Sequence, residues 1–520
     1  MRRIAAALVL LAAPVMAQPQ GGERALTLQD CILEALRNNL SLAAEILGPE
    51  VAASTAARAG EIFFPKLSFT LGTQTSNQAS FSWLDATDQV TTDFAEYQGS
   101  LEQRLPTGAT FSANLYSYKN ETNRSFQTIN PRYGSTLTFD FAQPLLRDFG
   151  FKMARREIIV AGNNRDVSES RMRQALIDTV FDVEEAYWEL VFSREALKVQ
   201  EESLKLARDL LTKNEKELEA GVIPPIEILS AQAEVASREA DIIQARARVR
   251  NSQDTLRTLL NVAGEKGAPP PVIVPSEMPG PETVALDLEE ARTRALAHRP
   301  DLAASQVGLK TSALDLSYAR NQTLPDLRLR ASYWSPGVSG TQILYQDDNP
   351  LTGIIIGTIP GGPSLAFKDA FRFKYENWFV GVTLDLPLET VVSRARVTEA
   401  RLASEQAALR HRDLEAQALL EVDIAFRAVE TDRQRVQAYR LARELAEEKL
   451  AAEEKKLAAG LSTNYTVLQQ QRDLAVARTN ETQALIDHAL SVARLQRAMG
   501  TTLEAKDVRL ADLPDRSDRP

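Results

Sequence analysis

The chain has 520 residues (57.4 kDa), with 44% hydrophobic, 25% charged and 6% aromatic residues and a formal net charge of −10. Those fractions exclude a collagen, a low-complexity disordered chain and a polytopic helical membrane protein; the longest apolar run, Ile4 to Ala17, is too short to span a bilayer as a helix. One cysteine (Cys31) excludes a disulfide framework or Cys-based zinc site, three isolated histidines (His298, His411, His488) leave little for metal or acid–base chemistry, and the acidic balance disfavours nucleic acid.

Residues 1–17 read as a secretory signal peptide: Arg2 and Arg3, an apolar stretch from Ile4 to Leu11, and Val15-Met16-Ala17 before the cut. Removing two arginines makes the mature chain two charges more acidic. The remainder is a tandem repeat. Leu26-Thr27-Leu28-Gln29-Asp30 and Leu286-Asp287-Leu288-Glu289-Glu290 lie 260 positions apart, as do Pro65 and Pro325. Leu218-Glu219-Ala220-Gly221 and Leu457-Ala458-Ala459-Gly460 lie 239 apart. The first unit is assigned to 18–262 and the second to 286–502. A linker with six prolines (263–285) separates them, and a polar tail (503–520) follows.

Each unit reads as short helices, then strands, then a long helical hairpin. Strands fall in about 66–143 and 326–387, where residues such as Leu67, Phe69 and Leu71, or Val380, Val382 and Leu384, alternate with polar ones. Pro106-Thr107-Gly108 predicts an additional hairpin in the first unit. Each unit then offers two strands, four per chain, or six with that hairpin. The hairpins of helices occupy about 151–262 and 391–499. Leu176, Val180, Val183, Tyr187, Leu190, Arg194, Leu197, Glu201 and Leu204 step at heptad spacing, continued by Leu211 and Leu218, which predicts coiled-coil packing. A helix of some 65 residues reaches roughly 100 Å. Cys31 and Tyr187-Trp188 read as core packing. Trp83, Trp334 and Trp378 are candidates for interfacial aromatic belts.

Four or six strands cannot close a membrane barrel, and open edges are not tolerated in lipid. Three chains would supply 12 or 18. The duplicated Leu-x-Ala-Gly turns, each followed by Leu-x-x-Gln (Leu229 to Gln232, Leu468 to Gln471), and Gln143-Pro144-Leu145-Leu146-Arg147-Asp148-Phe149-Gly150 carry a resemblance. The chain resembles the outer-membrane efflux protein family typified by TolC, over about Leu26 to Thr502. The resemblance implies a mainly α fold with β: long coiled-coil hairpins plus a few antiparallel strands, which complete a trimeric transmembrane β-barrel continuous with a periplasmic α-helical barrel. It implies an outer-membrane exit duct of a tripartite efflux or type I secretion system, not an enzyme, with no cofactor. The partners would be two further copies, outer-membrane lipid, a periplasmic adaptor and an inner-membrane transporter of RND or ABC type.

The implied entrance and adaptor-docking turns comprise Gly221, Pro224, Pro225 and Glu227 in the first unit and Gly460, Thr463, Asn464, Thr466 and Gln469 in the second. Pro65, Pro144, Pro325 and Pro387 mark strand-to-helix junctions. Some family members carry acidic rings beyond the second turn. Thr466 and Gln469 stand at those positions here, so the expectation is one weak ring from Glu227, or none if Glu227 caps its helix. A pore-free periplasmic or surface coiled-coil scaffold is the competing reading. No nucleophile elbow, metal motif or P-loop supports an enzyme.

Overall fold

The computed structural model describes residues 23–85, 87–221, 223–262, 271–280, 287–386 and 391–509. The expected signal peptide, most of the linker, Pro387 and the last eleven positions lie outside the described residues. In chain order the elements are β1 (Glu23–Leu26), α1 (Leu28–Asn38), α2 (Leu40–Ala59), β2 (Lys66–Ala79), β3 (Gln89–Arg104), β4 (Thr110–Thr122), β5 (Ile129–Pro144), α3 (Phe151–Ala154), α4 (Arg156–Glu219) and α5 (Pro225–Leu260). They continue with β6 (Val272–Pro275), α6 (Leu288–His298), α7 (Pro300–Asn321), β7 (Asp326–Tyr345), β8 (Ile355–Ile359), α8 (Pro363–Phe371), β9 (Asn377–Asp385), α9 (Val391–Ala458), α10 (Asn464–Met499) and α11 (Thr502–Ala505). The contacts divide the chain into two compact units, each drawn from both sequence repeats and called first and second from here on. One is built from residues up to 48 with 169–304 and 412 onward; the other from 49–168 with 305–411.

The first unit is helical. Thr27 caps α1 in a reciprocal capping box with Asp30, and Cys31, Ile32, Ala35 and Leu36 of that helix are buried. They pack with Leu176, Val180, Val183, Tyr187 and Leu190 of α4 and Leu256 and Leu260 of α5. Burial pushes the Cys31 thiol up to about 12, so it stays a neutral packing group. Tyr187 is fully buried, donates its hydroxyl to the Leu26 carbonyl at 3.2 Å, and accepts from the Glu277 N–H at 3.3 Å. The Pro-rich segment is not wholly irregular: Val272–Pro275 forms β6, which pairs in parallel with β1 and buries Ile273.

The predicted heptad seam holds only as far as Leu190. Beyond it Glu201 is exposed and Leu204, Leu211 and Leu218 are half-buried, while Ser203, Ala207, Leu210 and Asn214 are buried. A straight α-helix drifts about 20° per heptad against a 3.5 repeat, so over several turns the contact line moves to the neighbouring residues. The equivalent heptad positions expected in the second copy, Val422, Phe426, Val429, Arg433 and Val436, are buried on α9 at Val422 and Val429, but Arg433 is exposed.

The second unit is built on one antiparallel sheet, in the order β2-β3-β4-β5-β7, with β9 and the short β8 both pairing β7. It has six principal strands, matching the reading that counts the additional hairpin. Leu105 and Ala109 close the β3–β4 turn, where Gly108 adopts φ +92°. The register places one apolar set on one face: Leu71, Tyr97, Leu115, Leu137, Phe139, Tyr333 and Trp378 belong to it. Opposite lie Thr70, Gln98, Asn114, Thr138 and Arg330. Trp334 pairs with Thr138 and Asn377 on the polar face. The belt expectation therefore fails for Trp334, because adjacent residues of a strand point to opposite faces. Trp378 is on the apolar face, and Trp83 is exposed in the turn after β2.

Candidate functional site: helical turns and strand junctions

Both long helices end in the same way. Gly221 adopts φ +70° and Gly460 φ +72°, left-handed conformations that glycine takes without a steric penalty. The Gly460 N–H bonds the Leu457 carbonyl at 3.0 Å and the Leu461 N–H bonds that of Lys456 at 2.8 Å, closing the helix end. Glu453 accepts from Lys456 at 3.0 Å and from the Ser462 hydroxyl, so its carboxylate fastens the turn to its helix.

The return helices start differently. Pro224 is the N-cap of α5 without a side-chain cap bond, and Pro225 is its first residue, where a missing N–H costs nothing. Glu227 sits in that first turn, half-buried, where the helix dipole favours a carboxylate. Thr463 caps α10 by accepting from the Thr466 N–H at 3.3 Å, and the two hydroxyls lie 2.9 Å apart. Gln469 is exposed. Ile226, Leu229, Leu461 and Tyr465 leave most of their side-chain surface open beside these turns.

The structure joins the two hairpins close to their turns through Asn464, singled out in the sequence as a turn residue, and through others the sequence did not mark. Asn464 is buried and donates to the Oδ1 of Asn214, also buried, at 2.8 Å. Glu234 of α5 is only 5% exposed and accepts from Arg238 at 2.9 Å. The same carboxylate accepts from both Nε and Nη2 of Arg472 from α10. Further along, Arg478 of α10 reaches Glu202 of α4 and Glu447 of α9, each at 3.1 Å. Glu234 lies among Ala231, Ala233 and Ala236, and such small neighbours let a partner helix approach. Its partner, 238 residues away, leaves no local mark in the sequence.

At the junctions, Pro144 ends β5 opposite Arg328 of β7, and the Leu145 N–H bonds the Leu327 carbonyl at 2.7 Å. The Arg147 N–H reaches the carbonyl of Pro325 at 3.4 Å, so the segment that follows Pro144 is tied to the second junction at Pro325. Arg147 also pairs with Asp326 at 2.6 Å, and the Asp148 N–H bonds Asn321 at 2.8 Å. Pro65 precedes β2 on its own. Among the described residues no cluster of His, Cys, Asp or Glu is arranged to hold a metal.

Comparison with known proteins fits this geometry. The family model described as outer membrane efflux protein matches twice, over residues 31–262 and 291–501. The pyoverdine export outer membrane protein OpmQ of Pseudomonas putida is 23% identical over 65% of this chain; the match spans 65% of that relative's length. The alkaline protease secretion protein AprF of Pseudomonas aeruginosa is 24% identical over 72% of this chain and 70% of its own. The open state of the Neisseria gonorrhoeae MtrE outer membrane channel superposes with a TM-score of 0.61 at 18% identity, covering 92% of this chain and 89% of that one. The duplicated hairpins, the two-faced sheet and a family model matched on both halves converge: the chain belongs to the outer membrane efflux protein family and is an outer-membrane protein.

Proposed function

We propose that three copies of this chain form a passive exit duct through the outer membrane, with the helical unit standing in the periplasm. The observation that carries the reading is the sheet. It has one apolar and one polar face, and among the described residues β2 and β9 each keep one edge without a partner. An unpaired edge in hydrocarbon costs several kcal/mol for each stranded backbone group, so the edges must pair with other copies. Heterologous β9-to-β2 pairing closes a ring. Six strands from each of three chains give an 18-stranded wall, a count that leaves an aqueous channel in porins. The trimer itself is what the family resemblance implies.

A periplasmic adaptor docks at the helical turns. Ile226, Leu229, Leu461 and Tyr465 supply exposed apolar anchors, and Gly221, Pro224, Pro225, Gly460 and Thr463 fix the backbone that presents them. An RND- or ABC-type transporter delivers the substrate. OpmQ is named for pyoverdine export and AprF for alkaline protease secretion, so both small molecules and polypeptides suit relatives of this chain. Opening separates the two hairpins at their turns, against the Asn214–Asn464 and Glu234–Arg472 links. The mass of the detergent-extracted assembly tests the stoichiometry: three chains are expected, and a stable monomer overturns the closure argument.

A further inference from the structure

We propose that α8 lies on the outer wall of the barrel and anchors it in the lipid, with its aromatic flank in the acyl chains and its basic flank against anionic lipid phosphates. The inference rests on the outer-membrane reading of the sheet. It begins from a defect in the sheet's apolar face. That face is apolar from Leu327 and Leu384 up to Tyr333, Trp378 and Leu137, then turns small and polar at Ser135, Ser335, Gly337 and Ser339. Seven alternating residues at about 3.3 Å, tilted near 45°, cover roughly 16 Å of height, short of the ~25 Å apolar band of a membrane barrel.

The small strip is where α8 packs. A Cβ at Gly337 would stand 2.0 Å from the Ala366 carbonyl oxygen and 3.0 Å from the Ala370 nitrogen, so only glycine admits the helix. Ser339 donates to the Gly362 carbonyl at 2.9 Å, and Ser335 is fully buried. The helix turns Ala366, Asp369 and Ala370 inward. Its outward arc carries Phe367 and Phe371, 43% and 45% exposed, with ring centroids 4.4 Å apart. At 100° per residue, Lys368 and Arg372 form the other flank of the same arc, and both are exposed. Just past the helix the Phe373 ring sits 5.6 Å from Tyr333, joining α8 to the top of the sheet's apolar band.

Paired phenylalanines left in water have no compensation, whereas in the acyl region they continue the apolar surface next to them. An aromatic flank beside a basic one is the composition of interfacial helices bound to anionic lipid. Nine residues cannot span the bilayer but can extend a short apolar band by about one helix diameter, ~10 Å.

Spin-label accessibility tests this in the full chain reconstituted in vesicles of phosphatidylcholine and phosphatidylglycerol. Cys31, the chain's one cysteine, is buried, so labels at Phe367→Cys or Phe371→Cys are read individually. Val382→Cys on the apolar face and Gln98→Cys on the polar face are the references. We expect the ratio of collisions with oxygen to collisions with a water-soluble nickel chelate to match Val382→Cys and exceed Gln98→Cys several-fold. Nickel accessibility at both helix positions, with Val382→Cys still in lipid, overturns the anchor and leaves the barrel intact. Exclusion of both reagents there means a protein partner or a second copy covers α8, which also overturns it. Water access at Val382→Cys overturns the outer-membrane sheet itself.

Discussion

Replacing Glu234 with alanine should weaken the helical unit far more than replacing its partner Arg472. Glu234 is 5% exposed and Arg238 11%, whereas Arg472 is 51% exposed. Removing the carboxylate strands the Arg238 guanidinium in a low-dielectric site. Burial already pulls the pKa of Arg238 below the usual arginine range, the mark of a charge that is poorly solvated. Breaking a buried pair from one side costs about 3–5 kcal/mol. The nearby Asp241 charge places Glu234→Ala near the lower end, about 3 kcal/mol. Arg472→Ala leaves Glu234 bonded to Arg238 and removes a bridge with one half-exposed end, worth at most about 1 kcal/mol. Thermal melting of the full assembly reads the difference. At about 2 °C per kcal/mol for a unit of this size, the expected drops are about 6 °C and 2 °C. Equal drops, or a silent Glu234→Ala, would refute the argument from burial. Because Arg472 ties α10 to α5, both variants should also raise the open probability of the channel.

Two further outcomes follow from the same structure. Arg478, by hydrogen bonding, and Arg443, chiefly by charge, hold the Glu447 carboxyl below its ordinary value despite partial desolvation. For Asp301, burial pushes upward most, but the hydrogen bonds and charge of Arg299 together outweigh it. A depressed carboxylate contributes stability above its unfolded pKa and loses it as pH falls through the lower folded value. Melting temperature should thus hold from neutral pH down to about 4.5 and fall below it, less steeply in Glu447→Gln; an unchanged slope in that variant counts against the bridge. At the entrance, Glu227→Ala should weaken divalent-cation block of single-channel current slightly, and unchanged block removes the acidic ring.

What could be read from the sequence followed from local periodicity. The alternation in Leu67-Ser68-Phe69-Thr70-Leu71 and the Pro106-Thr107-Gly108 turn gave strands and a hairpin, because a half-buried sheet writes period 2 directly into the chain. Gly221 and Gly460 announced the helix ends through their left-handed φ. Asn464 was reached only as a turn residue, and its burial against Asn214 emerged with the fold. The seam beyond Leu190 misled, since heptad counting ignores the drift of a straight helix. Nothing local marked β8 or α8: nine residues with alanines inside and phenylalanines outside invert the usual pattern, because the outside is lipid. The Glu234–Arg472 pair is a contact between repeats, invisible to any window.

Closure of the sheet into a membrane pore is tested most directly by planar-bilayer recording of the purified full-length protein. Discrete, uniform conductance steps are expected, and they are lost when Gly337→Leu drives α8 from the wall and the assembly fails to insert. Intact trimers that associate with vesicles yet never conduct, with or without the Glu234→Ala substitution that loosens the turns, would contradict it and favour a scaffold without a pore.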